Sequence, residues 1–280
     1  IPNRKLDKEV PLINCFTAPC KGGCPIGQDI PEYIELCKKG LYTEALEVIT
    51  AKNPLPLITG TICSHRCMSK CTRNFYEESV LIRGTKLTAA ENGYAQLMEK
   101  LDTPVASSDK NVAIVGGGPT GIAAAFFLGR EGIKATIFEK EGKLGGIVRN
   151  VIPSFRISDE AIDNDIKLME KMGAEIKLNT PAPSLNELKE AGYTHILYCV
   201  GAEKPGKLDI DSINVIEFLK KVKAGETAGY GKNIAVIGGG NTAMDAARAA
   251  KRCDGVENVY IVYRRTKKYM PADEEELMLA

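Results

Sequence analysis

The sequence predicts an α + α/β chain, an all-helical N-terminal domain followed by two parallel α/β units of the doubly wound type. Three observations lead there. Six cysteines fall in two short runs, Cys15, Cys20, Cys24 and Cys63, Cys67, Cys71, within a stretch of helical periodicity without strand patterns. Two segments, NVAIVGGGPTGIAAAFFLG and NIAVIGGGNTAMDAARAAKR, each read as strand, glycine turn and helix, and begin about 120 residues apart. Each is followed by a second strand pattern, KATIFEK and NVYIVYRR, which completes a βαβ unit. These glycine turns make both units Rossmann-like.

Composition sets the limits. The chain has 280 residues and 30.3 kDa, with 44% hydrophobic and 26% charged residues, which excludes a disordered chain and a disulfide-dense miniprotein. Lys+Arg number 37 and Asp+Glu 36, a net charge of +1, so no nucleic-acid or membrane partner is expected. No apolar run approaches the roughly 20 residues that span a bilayer. The opening IPNRKLDKEVP lacks an apolar leader and an initial Met, from which a fragment is expected. Nine cysteines, an odd number without a secretion signal, argue for ligands in a reducing compartment, the cytoplasm, rather than a disulfide framework.

Along the chain, PEYIELCKKG and TEALEVITAKN place apolar residues three and four apart and read as amphipathic helices, punctuated by Gly40 and Asn53-Pro54. KLTAAENGYAQLMEK reads as a further helix, and TPVASSDKN as a linker. The expected domains are 1–105, 106–228 and 229–280. DEAIDNDIKLMEKMG is a helix, AEIKLN a strand, and THILYCVGA a buried strand preceded by a structural His195. The final segment reads as a solvated helix start at Asp273 to Glu276, and the second unit as cut short within a domain. Cys37 is expected in the core, and Cys199 and Cys253 carry no chemistry in this reading.

The cysteine spacing, Cys15-x4-Cys20-x3-Cys24-Pro25 and Cys63-x3-Cys67-x3-Cys71, lacks the two-residue knuckles of structural zinc sites. A run ending in Cys-Pro is the iron–sulfur habit, in which the Cys before Pro serves the other cluster. Cys15, Cys20 and Cys71 would then serve one cluster, and Cys24, Cys63 and Cys67 the other, leaving each one ligand short. Cys63 and Cys67 would share a helix face. Zinc and a set of buried free thiols are the alternatives. His65 reads as a loop residue able to fill one vacant position.

In the first turn, Gly116 permits the tight bend, Gly118 lets backbone approach a pyrophosphate, and Gly121 allows helix–strand packing. Pro119 and Thr120 open the helix whose N-terminus attracts phosphate. Glu139 ends the second strand eighteen residues after Gly121, placed to accept from a ribose diol. Gly145 and Gly146 offer a second close approach, and the long contact segments favour FAD over NAD. In the second turn Gly238 and Gly240 are followed by Ala243 in the third position, and the next strand ends in Arg264 and Arg265 without an acid. Arginine suits the 2′-phosphate of NADP, with NAD as the alternative.

As a set, CKGGCPIGQDIPEYI, NPLPLITGTICSHRCMSKCTR, VAIVGGGPTGIAAA, GGIVRNVIPSFRIS, IAVIGGGNTAMDAARAA and VYRR…MPA resemble the glutamate synthase small-subunit family over essentially the whole chain. The resemblance implies a helical domain with up to two [4Fe-4S] clusters, then an FAD domain carrying an inserted NAD(P)H domain. It implies flavin contacts from Glu139, Lys140, Gly145, Gly146, Ile147 and Arg156. It implies NADPH contacts from Gly238, Gly240, Asn241 and Thr242, with Arg264 and Arg265. That family often has another Cys where this chain has Leu12, and Gln or Glu near the position of Lys86. The expected function is an NAD(P)H-dependent flavoprotein oxidoreductase, passing electrons through iron–sulfur clusters to a partner subunit or a missing C-terminal domain. No catalytic side chain is expected, because direct hydride transfer needs no acid or base. A noncatalytic scaffold subunit is the alternative. A thiol–disulfide reductase lacks its CxxC after Cys71.

Overall fold

The computed structural model describes residues 17–202 and 210–280. Cys15 lies outside them. The N-terminal unit contains α1 (Pro19–Gly23), α2 (Ile30–Lys38), α3 (Tyr42–Thr50), α4 (Pro56–Ile62) and the long α5 (Ile82–Lys100). Pro31 at the start of α2 and Pro56 at the start of α4 sit where the missing N–H costs nothing. Gly40, with φ +76°, ends the α2 segment in the left-handed region. Tyr33, Leu46, Ile49 and Leu97 are buried to 2% exposure or less, so the apolar stripes of α2, α3 and α5 meet in one core. Truncating such a residue to alanine removes about 2–5 kcal/mol.

The first Rossmann unit follows. Its strands β1 (Asn111–Val115), β2 (Lys134–Phe138), β3 (Glu175–Lys177) and β4 (His195–Tyr198) form one parallel sheet in the order β3-β2-β1-β4. The crossover from β1 to β2 is α6 (Pro119–Arg130), after which come α7 (Gly146–Asn150), α8 (Asp159–Glu170) and α9 (Leu185–Glu190). Ser158 caps α8 by accepting from the Ala161 amide, and Ser184 and Glu187 form a capping box on α9. β4 is one of the two edge strands of this sheet. His195 opens it rather than preceding it, and the strand is largely exposed, against the expectation of burial, because only β1 pairs with it among the described residues.

Helix α10 (Val215–Lys223) leads to the second unit, in which β5 (Asn233–Ile237) and β6 (Asn258–Val262) pair in parallel across α11 (Asn241–Ala250), with α12 (Glu274–Leu279) at the end. Phe218 and Leu219 of α10 share a small core with Ala246, Ala249 and Ala250, so α10 packs on α11. No described helix is long and apolar enough to cross a membrane.

The helical unit and the first Rossmann unit share one continuous core, from Ile30 through Leu97 and Ile114 to Met172. A polar pin reinforces it. Asp165 of α8, fully buried, accepts from the Leu57 and Ile58 amides of α4 at 3.1 and 2.7 Å. Burial outweighs those amides and pushes the carboxyl pKa up to about 7. A folded-state pKa raised above the unfolded 3.8 contributes stability present below about pH 4 and lost as pH rises through about 7. Relative to Asp165→Asn, the native chain should therefore lose about 4 kcal/mol across that window. Urea denaturation of both proteins at a series of pH values checks this; parallel curves would refute it.

Candidate cofactor sites

The first glycine turn is tight because the sequence leaves no side chains there. Gly116 has φ +107°, and a Cβ at Gly121 would stand 2.0 Å from the Gly116 carbonyl oxygen. The Gly145 amide donates to the Gly117 carbonyl at 2.8 Å, which draws the Gly145–Gly146 loop onto the turn. Arg149 holds that loop from behind, donating to the Leu144 carbonyl at 2.6 Å and pairing with Asp163. The result is a cavity of about 330 Å³, at the lower end of small-molecule sites. Gly116, Gly118, Pro119 and Thr120 wall one side; Glu139, Lys140, Gly146 and Ile147 wall another. α6 begins at this wall, so its first-turn amides and dipole face the space.

Glu139 is buried, and its carboxylate accepts from the Gly117 amide at 2.7 Å and the Glu141 amide at 2.8 Å. It therefore braces the turn while retaining lone pairs for a diol, a structural role that its position at a strand tip did not announce. Arg156 does not line this cavity. It turns to the second unit, where it pairs with Asp245 at 3.0 Å and Glu276 at 2.7 Å. Glu276 also takes Arg248 at 3.2 Å, and Arg248 and Arg252 stack on Phe155, each 4.4 Å from the ring centre. Glu276 is thus buried in an ion-pair network, not part of a solvated helix start. Sequence reasoning also missed Cys199, Val200 and Gly201, which line the first cavity. They follow β4, beside β1, where doubly wound sheets place their ligands; that position was the available clue.

In the second unit Gly238 has φ +149°, and Gly240 caps α11. Asn241 is clipped to the chain end: its Oδ1 accepts from the Asp273 amide and its Nδ2 donates to the Asp273 carboxylate, both at 2.8 Å. The Ala272 amide donates to Gly239 at 3.0 Å, so this strap covers one flank of the turn. Thr242 lies in the first turn of α11, and Arg264 and Arg265 are exposed just beyond β6.

The described cysteines of the two runs are all free thiols. Cys63 ends α4 with extended backbone, and Cys67 precedes a single 3-10 turn, Met68–Lys70. They do not share a helix face: α4 ends at Ile62, and His65, at φ +38°, lies in the non-helical stretch between them. Cys20 and Cys67 are raised in pKa, first by burial, then by neighbouring thiols. Those neighbours are Cys71 and Cys24 for Cys20, and Cys24 and Cys63 for Cys67. Among the described residues no three His, Cys, Asp or Glu side chains stand close enough to hold one metal ion. A cluster spreads its ligands over several iron atoms, and soft thiol donors of this kind suit it.

Family models match both parts. Residues 11–96 match dihydropyrimidine dehydrogenase domain II, 4Fe-4S cluster, and residues 110–278 match pyridine nucleotide-disulphide oxidoreductase. The chain belongs to the pyridine nucleotide-disulphide oxidoreductase family. Its relatives include the NADPH glutamate synthase small chain of Escherichia coli (strain K12), 29% identical over 95% of this chain and 60% of that protein. The protein named "Putative oxidoreductase YgfK" of Escherichia coli (strain K12) is 42% identical over 96% of this chain. The NADPH-Fe(3+) oxidoreductase subunit beta of Geobacter sulfurreducens is 35% identical over 95% of this chain and 41% of that protein. The chain spans only 27% of YgfK. FprA from Mycobacterium tuberculosis in complex with NADPH shares the fold, with a TM-score of 0.52 and 23% identity over 61% of this chain and 47% of that one.

Proposed function

We propose that this chain is the cofactor-bearing part of an iron–sulfur flavoprotein oxidoreductase, with FAD in the first glycine-turn cavity and NADPH at the second turn. Cys15, Cys20 and Cys71, and Cys24, Cys63 and Cys67, hold up to two [4Fe-4S] clusters. Bound there, FAD would supply hydride acceptance from NADPH, and the clusters would supply single-electron transfer. The acceptor is a partner subunit or a further domain, and the compartment is the cytoplasm, which keeps thiols reduced. We divide the chain at 105/106 and 228/229, with α10 packing across the second boundary.

The observation that carries this reading is the continuous core shared by the thiol-bearing helices and the cavity-bearing sheet. A rigid shared core keeps two redox sites at fixed separation. The chain's own groups then do the positioning. Glu139 and Arg149 fix the glycine loops against each other around the space for a dinucleotide, and the first turn of α6 meets its phosphates. Asn241, fixed by Asp273, sets the entry to α11, and Arg264 and Arg265 reach a 2′-phosphate.

Two measurements test the reading. Extraction of the full-length protein should release FAD, and iron and acid-labile sulfide should be found with it; their joint absence would refute the proposal. Replacing Arg264 and Arg265 together by Ala should raise KM for NADPH about tenfold or more while leaving KM for NADH within about twofold, from lost charge-assisted contacts. An equal effect on both nucleotides would remove the arginines from 2′-phosphate recognition.

A further inference from the structure

Lys86 lies on α5 with 8% of its surface exposed, and lysine is rarely buried unless paired. Among the described residues no carboxylate stands within salt-bridge distance of it. Two features bring its turn of α5 beside the second cysteine run. Gly60, three residues before Cys63, lets α5 cross closely over the end of α4: an added Cβ there would stand 3.0 Å from the Leu87 Cα. Arg83, one turn before Lys86 on the same side of α5, donates to the Cys63 carbonyl at 3.3 Å and pairs with Glu275 at 2.6 Å. Burial holds the Lys86 ammonium below the usual lysine range, and the groups that act against that burial are the sulfurs of Cys63, Cys67 and Cys24. Asp165 also feels Lys86, but that carboxylate already accepts two amides.

We propose that Lys86 is the fixed counter-charge of the Cys24, Cys63 and Cys67 site, a cation beside the sulfurs rather than a ligand. The inference rests on the iron–sulfur reading above. An ammonium has three donors and no lone pair, so it acts on sulfur from outside the coordination sphere. Three thiolates gathered in a poorly solvated place repel one another, and a buried cation offsets that repulsion far more than an exposed one does. Adding an electron makes the site more negative still. The cation stabilises the reduced state more than the oxidised state, and net charge and hydrogen bonds to sulfur are the recognised controls of such potentials. α5 therefore brings two cations one turn apart to this site, Arg83 bonded to the Cys63 carbonyl and Lys86 within electrostatic reach of the sulfurs.

The test uses the full chain, reconstituted anaerobically with iron and sulfide, as wild type, Lys86→Met and Lys86→Arg. Iron and sulfide are counted, and the reduced signal is followed by electron paramagnetic resonance through a redox titration. Lys86→Met should keep the wild-type iron content. Its reduced-to-oxidised ratio at a given potential should fall about tenfold, a shift of about 59 mV for one electron. Lys86→Arg should stay within about twofold of wild type. Equal midpoints for wild type and Lys86→Met, with iron present in both, would overturn the inference alone. Loss of iron from Lys86→Met with a changed spectrum would overturn it in favour of ligation. Wild type without iron would overturn the reading and the inference together. If Lys86→Met does not fold, Lys86→Gln against Lys86→Arg carries the same comparison.

Discussion

Replacing Gly121 by Val should release the flavin and unsettle the first Rossmann unit. Any Cβ at this position meets the Gly116 carbonyl oxygen at 2.0 Å and the Ile114 side chain at 3.3 Å, both rigid parts of the β1 turn. Relief requires α6 to move off the sheet, yet Ile122, Ala125 and Phe126 bury that helix in the main core. Overpacking of this kind costs roughly 3 kcal/mol or more. Bound FAD should fall at least tenfold, with a lower thermal midpoint. The second unit supplies the contrast, because Ala243 already fills the equivalent place, its Cβ close to Gly238. Ala243→Gly should cost only about 1 kcal/mol, from helix propensity. Normal flavin content in Gly121→Val would mean that the first turn is looser than its packing indicates.

Removing the Arg156 charge should separate the two Rossmann units. Among the described residues Arg156 is the ion-pair partner of Asp245 and one of two ion-pair partners of Glu276, and both carboxylates are less than a tenth exposed. Burial already raises the Asp245 pKa despite the arginine beside it. Arg156→Met leaves the buried Asp245 with only the unbonded Arg248 charge nearby, a loss of about 3 kcal/mol. Protease should then cut near α12 sooner, and denaturation should show an earlier transition for residues 210–280. Arg156→Lys restores the charge but not the forked geometry, so it should recover part of the loss. A denaturation curve unchanged within about 0.5 kcal/mol would show that the shared apolar contacts alone hold the units together.

Much of this fold was readable in the sequence because its strongest patterns are local. The glycine turns, the strand before each and the helix after each depend on residues a few positions apart, and β1, α6, β5 and α11 follow the expected segments. What local pattern could not carry was partnership between distant residues. Arg156, in a motif that resembles flavin-contacting segments, finds Asp245 and Glu276 across 89 and 120 positions. Glu276 sits in an acidic run that reads as solvated, and only packing shows it buried. Cys63 and Cys67 have helical spacing, but α4 stops at Ile62 and the Cys63 backbone is already extended. The exposure of β4 was equally hidden, since an apolar strand pattern does not say how many neighbours it has. Asp165 left no mark at all: its role exists only where α8 meets α4.

The most direct test is an anaerobic visible spectrum of the full-length protein, recorded before and after addition of NADPH. A flavin band over broad iron–sulfur absorption, both bleached by the nucleotide, is the predicted result. A flavin that stays oxidised, or a colourless protein, would contradict electron flow from NADPH through the first cavity to the thiol sites.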